Sequence, residues 1–161
     1  MNRLPRRRRI GLKGELALAI MPTVTVLLVL ALVEALSRQR LLFASLASSA
    51  FLIYLDPQNV VNSVRTLVLS QVGSAVIGLV SYLLFGPGYV SGGIAMVTAI
   101  GAMIAADAMH PPAVSTALSF GLRAGDETNL ALFCLAVGVT AVLIGLQRVA
   151  LWMLRRYDVG S

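Results

Sequence analysis

The side chains of this chain best suited to chemistry stand together in Asp107 to Gly121, which reads Asp-Ala-Met-His-Pro-Pro-Ala-Val-Ser-Thr-Ala-Leu-Ser-Phe-Gly. His110 is the only histidine, and an imidazole can gain or lose a proton near neutral pH. Asp107, three residues earlier, lies on the same helical face as His110, and the pair could couple anion passage to a proton. Pro111 and Pro112 cannot continue that helix, but both suit the first turn of the next one. A helix opening at Ala113 would then begin with free N–H donors, a positive dipole end and the hydroxyls of Ser115 and Thr116. Such an end favours an anion by about 0.3 to 1 kcal/mol per charge.

An earlier stretch offers a counterpart. Ser48 and Ser49 sit in a short apolar piece, Leu41 to Leu55, that stops at Asp56-Pro57-Gln58-Asn59, and Asn59 could line a cavity. A purely structural role is the alternative for each residue. His110 would bond carbonyls exposed where the Pro-Pro pair ends its helix, with Asp107 as partner, and Asn59 would terminate the short piece. One His and one Asp are too few ligands for a metal. The chain also has no nucleophile and base pair, phosphate-binding loop or cofactor fingerprint, so neither an enzyme nor a cofactor protein is expected.

The elements that must position these residues are apolar. Of 161 residues, 58% are hydrophobic and only 12% charged, about half the charged share of a soluble domain. No charged residue or histidine occurs from Thr66 to Ala106. An all-α integral membrane protein follows. The net charge of +6 could suggest nucleic acid, but the bases lie at the ends of apolar segments without interleaved aromatics, so none is expected. Cys134, the single cysteine, reads as a packing residue.

Taken in order, residues 1–15 form a basic arm, 16–152 a transmembrane domain and 153–161 a short basic tail. Within the domain, Leu16 to Leu36, Thr66 to Phe85, Ser91 to Met109 and Thr128 to Leu151 read as four long helices. Leu41 to Leu55 and Ala113 to Leu122 read as two short ones, re-entrant or crossing incompletely. At 1.5 Å per residue the first short piece reaches only about 22 Å, against a hydrocarbon core of roughly 30 Å. The order long, short, long occurs twice, a weak two-fold internal repeat of the kind common in transporters. Arg3, Arg6 to Arg9 and Lys13 at one end, and Arg148, Arg155 and Arg156 at the other, place both termini in the cytoplasm of a bacterial inner membrane. Small residues at Gly73, Ser74, Gly78, Gly101 and Ala105 would let a second copy approach closely, and a homo-oligomer is expected.

His110-Pro111-Pro112 with Ala113-Val114-Ser115-Thr116-Ala117-Leu118 resembles the signature of the HPP family of integral membrane proteins. Ser45-Leu46-Ala47-Ser48-Ser49-Ala50, Pro57-Gln58-Asn59-Val60 and Ser74-Ala75-Val76-Ile77-Gly78 extend the resemblance over most of Leu41 to Gln147. Ala47 and Val114 depart from it, standing where glycine is expected. The resemblance implies four transmembrane helices and, from plastid and cyanobacterial members linked to nitrite transport, a transporter or channel for a small anion such as nitrite. A non-transporting membrane scaffold that modulates a partner is the competing expectation.

Overall fold

The computed structural model describes residues 44–122 and 129–158, with seven helical residues (16, 20, 23, 24, 27, 28 and 31) of the first apolar stretch. The basic arm, the rest of that stretch, the Arg123 to Thr128 linker and residues 159–161 lie outside the described residues. What is described is helical throughout: α1 (Ala44–Leu55), a 3-10 turn (Val60–Asn62), α2 (Val64–Phe85), α3 (Tyr89–Ala105), α4 (Pro112–Leu122) and α5 (Asn129–Asp158).

Each boundary has a local cause. Asp56 closes α1 by donating its N–H to the Leu52 carbonyl, and Pro57, lacking an N–H, cannot extend it. Ser63 caps α2, its hydroxyl accepting from the Thr66 N–H at 3.2 Å. Gly86 and Gly88 turn the chain from α2 to α3 with φ of 75° and 137°, a region costly for any residue with a Cβ. Across that hairpin the Ser81 hydroxyl donates to the Ser91 carbonyl at 2.8 Å and accepts from the Ser91 hydroxyl at 3.2 Å.

The end of α3 corrects the sequence reading. It stops at Ala105, not Met109, because Asp107 adopts the left-handed conformation with φ 47°. The Asp107 N–H reaches the Ile104 carbonyl and the Ala108 N–H reaches the Met103 carbonyl, the paired bonds of a Schellman motif. Arg65, from the start of α2, donates to the Ala106 carbonyl at 2.8 Å and to the Asp107 carbonyl at 3.2 Å, placing a cation at the negative end of α3. With 17 residues α3 is about 25 Å long. Among the described residues only two helices, Val64–Phe85 and the Ala136–Arg156 part of α5, are long and apolar enough to cross a bilayer, so the expected four long helices are not all seen. At the other end α5 carries residues 153–158 of the expected tail as helix, with Arg156 stacked over Trp152 at 5.2 Å.

Side-chain size is distributed as a membrane environment asks. The buried residues of α3 are Ser91, Gly92, Ala95, Ala99 and Met103, while Val97 and Ile104 on the same helix are 72% and 64% exposed. Bulky apolar groups face outward and small ones inward, because lipid accepts the former and close helix approach needs the latter. Gly92 and Gly121 bring α3 and α4 into backbone contact: a Cβ on Gly121 would fall 2.8 Å from the Gly92 Cα. A Cβ on Gly78 would fall 2.6 Å from both the Ala117 carbonyl oxygen and the Phe120 Cβ. So α4 is wedged between α2 and α3, and Gly78 serves this internal packing and not an oligomer face. Gly101 and Ala105 are exposed, as is Cys134, which corrects its reading as a packing residue. A larger apolar core, including Leu46, Ile53, Leu67, Phe120 and Leu143, joins α1, α2, α4 and α5.

Candidate functional site: a buried polar seam

Inside this apolar bundle runs one continuous line of polar side chains. His110, fully buried, lies in the link between α3 and α4. Its Nδ1 is 3.1 Å from the Val61 carbonyl and its Nε2 is 2.9 Å from Ser49 Oγ. Gln71 of α2 donates from Nε2 to Ser49 Oγ at 3.1 Å, and accepts at Oε1 from the Thr116 hydroxyl at 2.9 Å. Thr116 Oγ1 is in turn 3.0 Å from Ser45 Oγ.

With the His110 ring neutral, donor inventory fixes the direction of every bond. The Val61 carbonyl can only accept, so Nδ1 carries the hydrogen and the neutral ring accepts at Nε2. Ser49 therefore donates its one hydrogen to Nε2, leaving Oγ to accept from Gln71. Thr116 spends its hydrogen on Gln71, so Ser45 donates to Thr116. The chain Ser45, Thr116, Gln71, Ser49, His110, Val61 is a single one-way sequence in which each group is matched. Aligned bonds in a low dielectric reinforce one another. Breaking one leaves a buried group unpaired at about 1 to 3 kcal/mol.

Its far end is held rigidly. The Asn62 side-chain amide donates to the Leu52 carbonyl at 2.9 Å and the Asp56 carbonyl at 2.7 Å, and the Thr66 hydroxyl donates to the Val60 carbonyl at 2.9 Å. These bonds fix the 3-10 turn that presents the Val61 oxygen. His110 thereby staples the α3–α4 link to the α1–α2 link.

The seam gathers some of the residues singled out in the sequence and leaves others aside. His110, Ser49 and Thr116 lie in it. Ser48 is exposed, its hydroxyl turned back 3.3 Å to the Ser45 carbonyl, and Ser115 is exposed on the outer side of α4. Asn59 is an exposed capping residue: its Oδ1 accepts from the Val61 N–H at 3.1 Å and its Nδ2 donates to Asp56 Oδ2 at 3.4 Å. Asp107 is exposed and does not share a helical face with His110, since the helix has already ended. The His110 ring bonds the Val61 carbonyl and Ser49, while the carbonyls ending α3 go to Arg65.

The α4 start also differs from expectation. Pro111 is exposed and Pro112 buried, and neither has an N–H. The next two donors are spent, Ala113 on the His110 carbonyl at 2.9 Å and Val114 on the Pro111 carbonyl at 3.1 Å. The proline pair that starts the helix therefore removes or occupies the donors an anion would need. Nor do the two short helices turn their beginnings toward each other. Ser45 pairs with Thr116 and Ser49 with His110, so residue order reverses between α1 and α4 and they pack antiparallel.

Gln71 and Ser45, two of the five side chains in the seam, were not assigned from sequence. For Gln71 a signal existed: it is the lone amide within the charge-free run from Thr66 to Ala106, where an uncompensated polar group is costly.

Outward-facing bulky side chains, glycine-mediated helix contacts and a self-satisfied polar seam are those of a helical membrane protein. The model of one family, described as HPP, transmembrane region, matches residues 9–158. The chain belongs to the HPP family. No curated protein and no solved structure matches it.

Proposed function

We propose that this chain moves a small solute across the membrane, an anion and nitrite by family resemblance, along a path lined by the polar seam between α1, α2 and α4. The observation that supports it is the seam itself. Five buried polar side chains meet at the depth of Gln71, about 11 Å along α2, where polar groups are expensive and usually functional. The hydroxyls of Ser45, Ser49 and Thr116 and the Gln71 amide now bond one another. When α1 and α4 part, the same donors can replace part of the hydration shell of a small anion. In this reading the donors are side chains within the seam, and the spent N–H groups at the start of α4 take no part.

Both termini lie in the cytoplasm of a bacterial inner membrane. An oligomer would use the exposed Gly101 and Ala105. The antiparallel packing of α1 on α4 is also what an inverted repeat of long, short, long units requires.

The completeness of the seam favours one other reading, a scaffold in which these bonds only hold the fold. Nitrite uptake into vesicles separates them. Purified protein is expected to accelerate uptake over protein-free vesicles, and Thr116→Val to lower the rate at least tenfold while the protein stays folded. A wild-type rate equal to that of empty vesicles removes the transport reading.

A further inference from the structure

A second feature lies between α2 and α3, apart from the seam. Between α2 and α3 is a cavity of about 100 Å³ lined by, among others, Ser70, Gly73 and Ser74 of α2 and Ala99, Ala102 and Met103 of α3. None of its lining residues is charged. Ser74 is 1% exposed, and its Oγ has no hydrogen-bond partner among the described residues. That is unusual for a serine in an apolar helix, which can turn its hydroxyl back to the carbonyl one turn earlier. Ser70 does this, donating to the Thr66 carbonyl at 2.6 Å, so its oxygen lines the cavity as an acceptor only. Ser74 leaves its hydrogen free. Gly73 keeps the space open: a Cβ there would meet nothing within 4 Å.

Size and access narrow what could bind. A cavity of roughly 150 Å³ takes benzene, so this one suits about three to five non-hydrogen atoms. Ser74 is the eleventh of the 22 residues of α2, halfway along a helix long enough to span a bilayer. Leu69 and Ala102 line the cavity and are also exposed, so it lies against the outer face of the α2–α3 pair. A ligand arriving through hydrocarbon must shed its water, and an ion would find no counter-charge on arrival.

We infer that the cavity between α2 and α3 is a binding site for a small uncharged molecule carrying one hydrogen-bonding oxygen, held by the Ser74 hydroxyl with its apolar part against Ala99, Ala102 and Met103. This inference stands apart from the transport reading, since none of these residues belongs to the seam.

The test uses the full chain in lipid nanodiscs with 2-fluoroethanol as probe, read by fluorine NMR line broadening against empty nanodiscs. Wild type is expected to give saturable broadening that n-propanol competes away, and fluorobenzene no saturable component. Ser74→Ala keeps the cavity but removes the hydrogen bond, so affinity should fall about 3- to 10-fold, the worth of one such bond. Gly73→Val fills the space and should abolish saturable binding. Both variants are checked for an unchanged helical spectrum and elution volume. The inference is overturned if wild type shows no saturable broadening beyond empty nanodiscs. It is equally overturned if folded Ser74→Ala binds as wild type does, or if folded Gly73→Val still binds.

Discussion

The two sides of α4 are joined to their neighbours in opposite ways. Toward α3 and the second half of α2 its Gly121, Ala117 and Phe120 meet Gly92 and Gly78 at backbone contact distance, with no polar bond between them among the described residues and no room for one. Toward α1 and the first half of α2 it is held by directional bonds through Thr116 and His110. A glycine contact has one geometry, because every displacement loses dispersion energy that lipid cannot return. A hydroxyl bond can be exchanged for a bond to water or solute at small net cost. So α2, α3 and α4 are joined by contacts of fixed geometry, while α1 is joined to α4 through bonds that can be exchanged.

The sharpest way to break this contrast is to put a side chain where the backbones touch. In Gly121→Val the Cβ alone would lie 2.8 Å from the Gly92 Cα and 2.9 Å from both the Gly92 nitrogen and the Ser91 carbonyl oxygen, none of which can rotate away. A loss of about 3 kcal/mol is expected, at the upper end for overpacking. It should appear as a collapse of monodisperse protein in detergent or a large fall in thermal midpoint. Gly145→Ala, at an exposed site where a Cβ meets nothing, is the control and should be silent. Equal tolerance of the two would show that α4 is not wedged.

On the polar side the largest effect belongs to Gln71, which joins two halves of the chain of bonds. Gln71→Leu strips Ser49 of a donor and Thr116 of an acceptor at once. The expected cost is about 2 kcal/mol, less than at Gly121 because hydroxyls can reorient. Vesicle flux of nitrite should fall further than stability does. A variant that loses stability but keeps the wild-type rate would make the seam a structural fixture and favour the scaffold.

His110→Gln comes next. Glutamine can satisfy either Val61 or Ser49 but carries no titratable proton, so the fold should lose only about 1 kcal/mol, one hydrogen bond. Flux measured from pH 5.5 to 8 then isolates the ring. If the wild type varies with pH and His110→Gln does not, His110 is where the proton acts. An unchanged profile removes it from any coupling.

How much of this was legible in the sequence follows the same division. Composition and the charge-free run from Thr66 to Ala106 were enough for a helical membrane protein, and the prolines after His110 placed the break between α3 and α4. Local chemistry at the break misled. Asp107 and His110 at a spacing of three share a face only while the helix continues, and nothing in the spacing reveals that Asp107 takes the left-handed turn a glycine usually takes. The proline pair was read for the dipole it exposes, while its missing N–H groups count more. Partners far apart in the chain, such as Ser49 with His110 and Gln71 with Thr116, depend on α1 lying antiparallel to α4, a tertiary fact no local pattern carries. Gly92 makes the close contact on α3 while its neighbour Gly93 is exposed, because one residue of helix is a 100° turn and composition alone does not give its phase.

The smallest expected effect makes the finest test of where the seam ends. Ser48 and Ser49 are neighbours of the same type on α1, as Ser115 and Thr116 are neighbours on α4, yet one of each pair lies in the seam and the other is exposed. Ser48→Ala and Ser115→Ala should each change stability by less than about 0.5 kcal/mol, as exposed substitutions usually do, and leave flux at the wild-type rate. Ser49→Ala removes the acceptor for Gln71 and the donor to His110, and should cost about 1 to 2 kcal/mol with a clear fall in rate. Helical phase alone separates the members of each pair, so side-chain composition is held constant by the comparison. Were Ser48→Ala or Ser115→Ala to reduce flux as much as Ser49→Ala, the conducting surface would lie on the outer side of α1 and α4, at a boundary with lipid or a second copy, and not between them.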